Sequence, residues 1–195
     1  MSLPPDADPA PADALHPRAL ARFPEQMELA TDLLRKPPAL IGLTEAEARC
    51  VASAMQLIDY PKGARLMREH DRTATGYMLL LLEGEVSVEL EEPGRSEGVA
   101  ISVLGRGSLL GEMSLIDGEP RSSNVTALSP VQVAGLSRKG LELVIDQQPR
   151  VAAKLLAEVA GIIANRLRAL SDQLRMYAQL TESQQREIDR LRRGA

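Results

Sequence analysis

Between Gly111 and Val125 the chain reads GEMSLIDGEPRSSNV. A glycine and a carboxylate, Gly111 and Glu112, stand at the mouth of a short helical turn, and Pro120 returns the chain to one arginine, Arg121, followed by the hydroxyls of Ser122 and Ser123. Those residue types in that order suit the gripping of a small anion. The amides of Glu112 and Met113 open a turn and point outward, a glycine permits close approach to the backbone, and arginine offers a planar fork matched to phosphate. Glu112 alone would repel an anion, so its presence implies a pair of neighbouring hydroxyls that donate to it, as a ribose would supply. Phosphate and sugar hydroxyls together imply a nucleotide.

No rival constellation for chemistry stands elsewhere in the sequence. The run Gly105-Arg106-Gly107-Ser108-Leu109-Leu110-Gly111 has the wrong spacing for a dinucleotide-binding turn, and it leads into a β context instead of a long helix. There is no Gly-x-Ser-x-Gly elbow, no His-Glu-x-x-His and no paired catalytic carboxylate. His16 and His70 are the two histidines, and His70, in Glu69-His70-Asp71, reads as a turn residue tolerating an unusual backbone angle. Cys50 is the single cysteine, which excludes an intramolecular disulfide and a thiolate metal cluster. A non-enzymatic protein without a metal is expected.

Composition narrows the partners. A net charge of −4 argues against a generally basic nucleic-acid binder, and the absence of Trp with a single Phe argues against base stacking on aromatics. From Gln148 onward nine Lys/Arg face five acids, a mild excess that suits a solvated helix with paired charges. No cationic start followed by an apolar core opens the chain and no run of eighteen apolar residues occurs, so a cytoplasmic location and no membrane partner are expected. At 195 residues and 44% hydrophobic, the chain suits one domain plus an appendage, with an aliphatic core.

The elements that must position the anion-gripping stretch follow from periodicity. Pro4, Pro5, Pro9, Pro11 and Pro17, spaced by Ala and Asp, predict a disordered tail over 1–22. Met27, Leu29, Ala30, Leu33 and Leu34 predict a short helix over 25–36, stopped by Pro37-Pro38. Thr44 with Glu47 predicts a capping box opening a helix over 45–56. From Gly63 to Gly118 glycines punctuate short apolar or alternating runs, the pattern of a small barrel or jelly roll. Strands are expected at 86–90, after a tight turn at Glu83-Gly84-Glu85, at 99–104 and over 125–136. A helix near 138–147 precedes Pro149, which opens a second helix of about forty residues. Along it Leu156, Ala160, Ile163, Leu167, Leu170, Leu174, Tyr177, Thr181, Gln184, Ile188 and Leu191 alternate four and three apart. That is a heptad seam, and a parallel homodimer through this C-terminal helix is the simplest way to bury it.

The stretch Gly111–Val125 resembles the phosphate-binding cassette of the cyclic nucleotide-binding domain family, found in catabolite activator proteins and in regulatory subunits of protein kinase A. The family pattern, G-E-[LM]-[AS]-L, then P-R-[STA]-[AS]-[TS]-V, is met by Gly111, Glu112, Met113, Ser114, Leu115, Pro120, Arg121, Ser122, Ser123 and Val125, while Asn124 departs from it. The resemblance implies a mainly β fold with flanking helices: a β jelly-roll barrel over 23–147 with N-terminal helices, followed by a lid and coiled-coil helix over 148–195. It implies a cyclic mononucleotide as ligand, cAMP in preference to cGMP. Arg121 and the amides of Glu112 and Met113 would hold the cyclic phosphate, Glu112 the ribose 2′-hydroxyl, and Ser122 the phosphate or a purine edge, with Ser123 beside them. Ile101, Ser102 and Leu104 would line the base. On the long helix, Ser171 matches a hydroxyl that touches the base, Leu170 replaces a second one, and Arg166 aligns with an arginine that reaches toward the cassette glutamate. Catabolite activators continue into a helix-turn-helix and this sequence ends at Ala195, so no DNA reading is expected and the output passes to a protein effector that the sequence does not name. Two other readings stay open: a ligand-free dimerisation and interaction module, and a receptor for a cyclic dinucleotide.

Overall fold

A computed structural model describes residues 15–36, 42–72, 76–90 and 99–193, and the side chains of 15, 99, 100 and 187–193 lie outside that description. The chain forms two compact units, one up to Glu158 and one from Val159 onward.

The first unit opens with β1 (Leu15–Ala19), a 3-10 turn at Leu20–Arg22, α1 (Pro24–Leu34) and α2 (Glu45–Ser53). Strands β2 (Gln56–Tyr60), β3 (Arg65–Met67), β4 (Tyr77–Glu83), β5 (Val86–Leu90), β6 (Val99–Leu104) and β7 (Leu109–Leu110) follow. Helix α3 (Glu112–Asp117), strands β8 (Asn124–Ala127) and β9 (Val131–Ser137), and helix α4 (Arg138–Gln147) come next, and α5 (Pro149–Arg193) ends the described chain. The strands make two antiparallel sheets, ordered β1-β2-β9-β4-β7 and β3-β8-β5-β6. The expected jelly roll with flanking helices is therefore what the chain forms.

The core explains a run that does not alternate. Leu79, Leu80, Leu81 and Leu82 are all fully buried, because β4 is covered on both faces. Leu79 and Leu81 join Ile58, Tyr60 and Val133 of their own sheet and Leu66, Val86, Val88 and Val125 of the other in one aliphatic cluster. The opposite face of β4 is covered by α1, whose Met27, Ala30 and Leu34 are buried. Each fully buried leucine contributes roughly 2 kcal/mol.

Three sequence expectations change. Of the tail expected over 1–22, residues 15–19 are a strand and 20–22 a helical turn, while 1–14 lie outside the described residues. Pro17 is tolerated because β1 is an edge strand whose register shifts between Leu15 and Arg18. Helix α2 stops at Ser53 instead of 56, since Gln56 pairs with Gly135 as the first residue of β2. The stretch expected as strand over 125–136 is two strands, divided at Leu128-Ser129-Pro130, where the chain passes from one sheet to the other. The reciprocal capping box of Thr44 and Glu47 forms as expected, Gly84 turns the chain between β4 and β5 at φ +88°, and Ser137 caps α4 by accepting from the amide of Gly140 at 3.0 Å.

The first turns of α5 belong to the first unit, with Val151, Ala152 and Leu155 buried. Lys154 also reaches the carboxylate of Glu47 at 2.6 Å. In the second unit α5 exposes Leu167 (64%), Leu170 (55%), Leu174 (69%) and Tyr177 (66%), members of the heptad seam. The side chains of Ile188 and Leu191 lie outside the described residues.

Candidate functional site

Gly111 sits at the N-cap of α3 with φ +69°, a left-handed backbone that L side chains rarely adopt. Space forbids a side chain there as well. A Cβ would collide with the Nη1 atom of Arg121, and would lie 2.7 Å from the Cε of Met67 and 2.8 Å from the carbonyl oxygen of Tyr77. The glycine is required both by the turn and by the closeness of the arginine.

Arg121 is 4% exposed and points inward. Its Nη1 donates to the carbonyl of Gly111 at 3.0 Å and its Nη2 to the carbonyl of Tyr77 at 2.9 Å. Burial pulls the guanidinium down to about 10, while the carboxylates of Asp71 and Glu112 and the Tyr60 phenol act in the opposite direction. The group is therefore a cation at neutral pH. Glu112, the first residue of α3, is 1% exposed. Buried charges of this kind cost several kcal/mol each unless compensated. Opposite charge and carbonyl acceptors beside Arg121 supply that compensation.

The backbone of Arg121 is held by a turn distant in sequence. Its amide donates to the Asp71 carbonyl at 3.2 Å and its carbonyl accepts from the amide of His70 at 2.9 Å. His70 has φ +64°, the unusual backbone angle expected of it, and it is the non-glycine residue with a positive φ among the described residues. Asn124, which departs from the family pattern, is buried at 3% exposure and works on the same turn. Its Oδ1 accepts from the Glu69 amide at 3.0 Å and from Arg65 Nη1 at 3.5 Å. The roles of Tyr77, Asp71 and Asn124 were not anticipated from the sequence. Only the unexpected amide at 124 signalled anything, since the other two lie far from the cassette along the chain.

The structure thus brings Gly111, Glu112 and Arg121 together at the start of α3, with Met113 next in the helix and 43% exposed. Ser122 is exposed and Ser123 half-buried directly after Arg121. On β6, Ser102 pairs with Val88 and Leu104 with Val86, and the register skips Ile101, an extra residue in the strand. Ile101 is 54% exposed, Ser102 is exposed, and Leu104 is packed partly buried against the core cluster. Arg166 and Ser171 lie on α5 in the second unit, where the Ser171 hydroxyl donates to the carbonyl of Leu167 at 2.9 Å. Among the described residues no group of three or more His, Cys, Asp or Glu is placed to hold a metal ion, and no helix is long and apolar enough to cross a membrane. A buried cation, a buried carboxylate and the first amides of a helix, gathered around a glycine, suit a ligand that carries both an anion and hydroxyl donors.

Comparison with known proteins agrees with that geometry. The family profile described as "Cyclic nucleotide-binding domain" matches residues 57–148. The chain is 23% identical over 143 residues to the CRP-like cAMP-activated global transcriptional regulator of Mycobacterium tuberculosis, an alignment spanning 73% of this chain and 61% of that protein. It is 34% identical over 110 residues to the cAMP-dependent protein kinase regulatory subunit of Emericella nidulans, covering 56% of this chain and 25% of that one. The crystal structure of a cyclic nucleotide-binding domain from Methylobacillus flagellatus superposes with a TM-score of 0.69 at 29% identity, over 83% of this chain and 87% of that one.

Proposed function

We propose, from the premise that residues 57–148 belong to the cyclic nucleotide-binding domain family, that this chain is a cytoplasmic, non-enzymatic sensor of a cyclic mononucleotide, cAMP in preference to cGMP, whose dimeric α5 acts on a protein effector. The observation that carries the reading is the buried pair of Arg121 and Glu112 around Gly111. Arg121 and the amides of Glu112 and Met113 hold the cyclic phosphate, Glu112 accepts from the ribose 2′-hydroxyl, and Ser122 and Ser123 border the phosphate. Ile101, Ser102 and Leu104 take the base side. Arg166 and Ser171 enter on the resemblance alone. The relatives support the ligand class: the mycobacterial regulator is described as cAMP-activated and the fungal subunit as belonging to a cAMP-dependent kinase.

The dimer rests on the exposed seam. Leu167, Leu170, Leu174 and Tyr177 each leave more than half of their surface open in one protomer. Covering them against a second copy would contribute on the order of 1 kcal/mol per residue. A ligand biases such a dimer only through different affinities for its two arrangements.

One observation favours a second reading. The terminal nitrogens of Arg121 already donate to two protein carbonyls, as they would in a module that takes no ligand. Isothermal titration of the full chain with cAMP, cGMP and a cyclic dinucleotide separates the cases. Heat with cAMP or cGMP, abolished in Arg121→Ala, is the expected result. No heat with either mononucleotide at high micromolar concentration would refute the sensor, and undiminished binding by Arg121→Ala would refute the site.

A further inference from the structure

Helix α3 is six residues long, too short to hold its own position, so its placement is set by its packing near β4, where Leu115 is buried, and by what ties its two ends. The N-terminal tie is Arg121, through its bond to the carbonyl of Gly111. The C-terminal tie is a second arginine, outside the cassette. Arg138 Nη2 donates to the carbonyl of Ser114 at 3.3 Å, the same oxygen that accepts from the Gly118 amide at 3.0 Å to close the last turn. A Cβ at Gly118 would lie only 3.4 Å from that nitrogen. A cation at this end of a helix also meets the negative end of its dipole.

The two arginines share an anchor. The amide of Arg138 donates to the Gly76 carbonyl at 2.7 Å, and the next carbonyl along, that of Tyr77, accepts from Arg121 Nη2 at 2.9 Å. Arg138 is moreover the first residue of α4, whose first turn is fixed by the Ser137 cap and lies so close to Ala54, the residue after α2, that a Cβ at Gly140 would lie 2.8 Å from its carbonyl oxygen. Helix α3 therefore hangs between two guanidinium groups: that of Arg121 also bonds the Tyr77 carbonyl, and that of Arg138 is carried by the first residue of α4, whose backbone amide donates to the neighbouring Gly76 carbonyl.

We propose that Arg138 is a positioning residue that fastens the end of the cassette helix to the start of α4, so that a ligand held by Arg121 is felt in α4 through α3. This rests on the nucleotide reading above. An anion that draws on Arg121 and the first amides of α3 loads one end of that helix. The other end cannot follow freely, because its Ser114 carbonyl is held by a side chain whose own backbone belongs to α4. The ligand thereby favours one placement of α4 by the difference in its affinity for the two placements.

The test compares the full-length wild type with Arg138→Met, which keeps the stem and loses the donors, and with Arg138→Lys, which keeps one cationic donor. Amide hydrogen exchange over 112–118 and 139–147 is followed with and without saturating cAMP. In the wild type cAMP should slow exchange in both segments. In Arg138→Met the slowing over 112–118 should persist while that over 139–147 falls at least fivefold, with affinity weakened roughly threefold to tenfold. Arg138→Lys should recover part of the α4 response. Full protection of 139–147 by cAMP in Arg138→Met would overturn the proposal. Recovery of none of it by Arg138→Lys would mark the methionine effect as general loss of packing and overturn it too. If the wild type binds no nucleotide, the sensor reading fails by itself, and the tie is judged without ligand: exchange at the Gly118 amide should be about tenfold faster in Arg138→Met, and an unchanged rate would overturn it.

Discussion

Replacing Gly111 by alanine tests the site through its packing, and Gly63 provides an internal control. Both glycines have positive φ, +69° at Gly111 and +84° at Gly63, but a Cβ on Gly63 meets nothing within 4 Å. Gly63→Ala therefore carries only the left-handed backbone cost of about 1–2 kcal/mol, offset by about 0.4–1 kcal/mol from the stiffer unfolded chain. A net loss of about 1 kcal/mol follows. Gly111→Ala carries the same terms and a clash with Arg121 and the Tyr77 carbonyl. Met67 can move its terminal methyl, but the carbonyl is part of β4. Relief then comes from displacing Arg121 and losing at least one of its two bonds, each worth about 1.5–3 kcal/mol for a charged donor. The expected loss is about 3–4 kcal/mol, which lowers the melting temperature by about 2–4 °C per kcal/mol. Urea denaturation at neutral pH reads the difference as a shift in midpoint at constant m-value. Calorimetry should show nucleotide affinity falling more than tenfold in Gly111→Ala and unchanged in Gly63→Ala. Equal stability losses in the two variants, within about 0.5 kcal/mol, together with unchanged affinity in Gly111→Ala would refute this account of the glycine.

Three further outcomes follow from other parts of the molecule. His70→Gly should leave stability at or slightly above that of the wild type, while His70→Val should lose about 1–2 kcal/mol in thermal melts, because the φ of +64° suits glycine and opposes a β-branched residue. The Lys154 ammonium and the Thr44 amide hold the Glu47 carboxyl at about 2, below its usual 4.5. A carboxyl depressed in the folded state contributes stability above its ordinary value and loses it as pH falls from about 4.5 toward 2. The stability difference between wild type and Glu47→Gln, measured by urea midpoints, should accordingly be full at pH 7 and shrink toward zero near pH 2, and a pH-independent difference would contradict it. Leu174→Glu, which puts a charge into the exposed seam, should convert a dimer into a monomer by light scattering. A wild type already monomeric would remove the basis for the α5 dimer.

What the sequence disclosed and what it withheld divide by distance along the chain. The cassette was legible because its glycine, carboxylate and arginine fall within eleven consecutive residues, Gly111 to Arg121. The helix 138–147 and the strand 86–90 were legible because Pro149 bounds the one and a strict alternation of residue types marks the other. The partners that hold Arg121 were not, since Tyr77 lies 44 residues away and contributes a backbone carbonyl, a group that every residue carries. His70 likewise acts through its backbone, and Asp71 through its carbonyl as well as its carboxylate. The strand β1 was hidden in a proline-rich segment because its pairing with β2 is a tertiary interaction that outweighs local preference. Asn124 shows the reverse case: a departure from a familiar pattern whose reason appears only when its amide is seen holding the 69–71 turn.

The central claim is that a cyclic mononucleotide sits where α3 begins, against Arg121. Nitrogen-15 NMR of the uniformly labelled full chain, titrated with cAMP, tests both the binding and its place. The amides of Gly111, Glu112 and Met113 and the Arg121 guanidinium should shift together with a single saturating dependence on cAMP. A titration that leaves those four signals in place, whether or not others move, would contradict it.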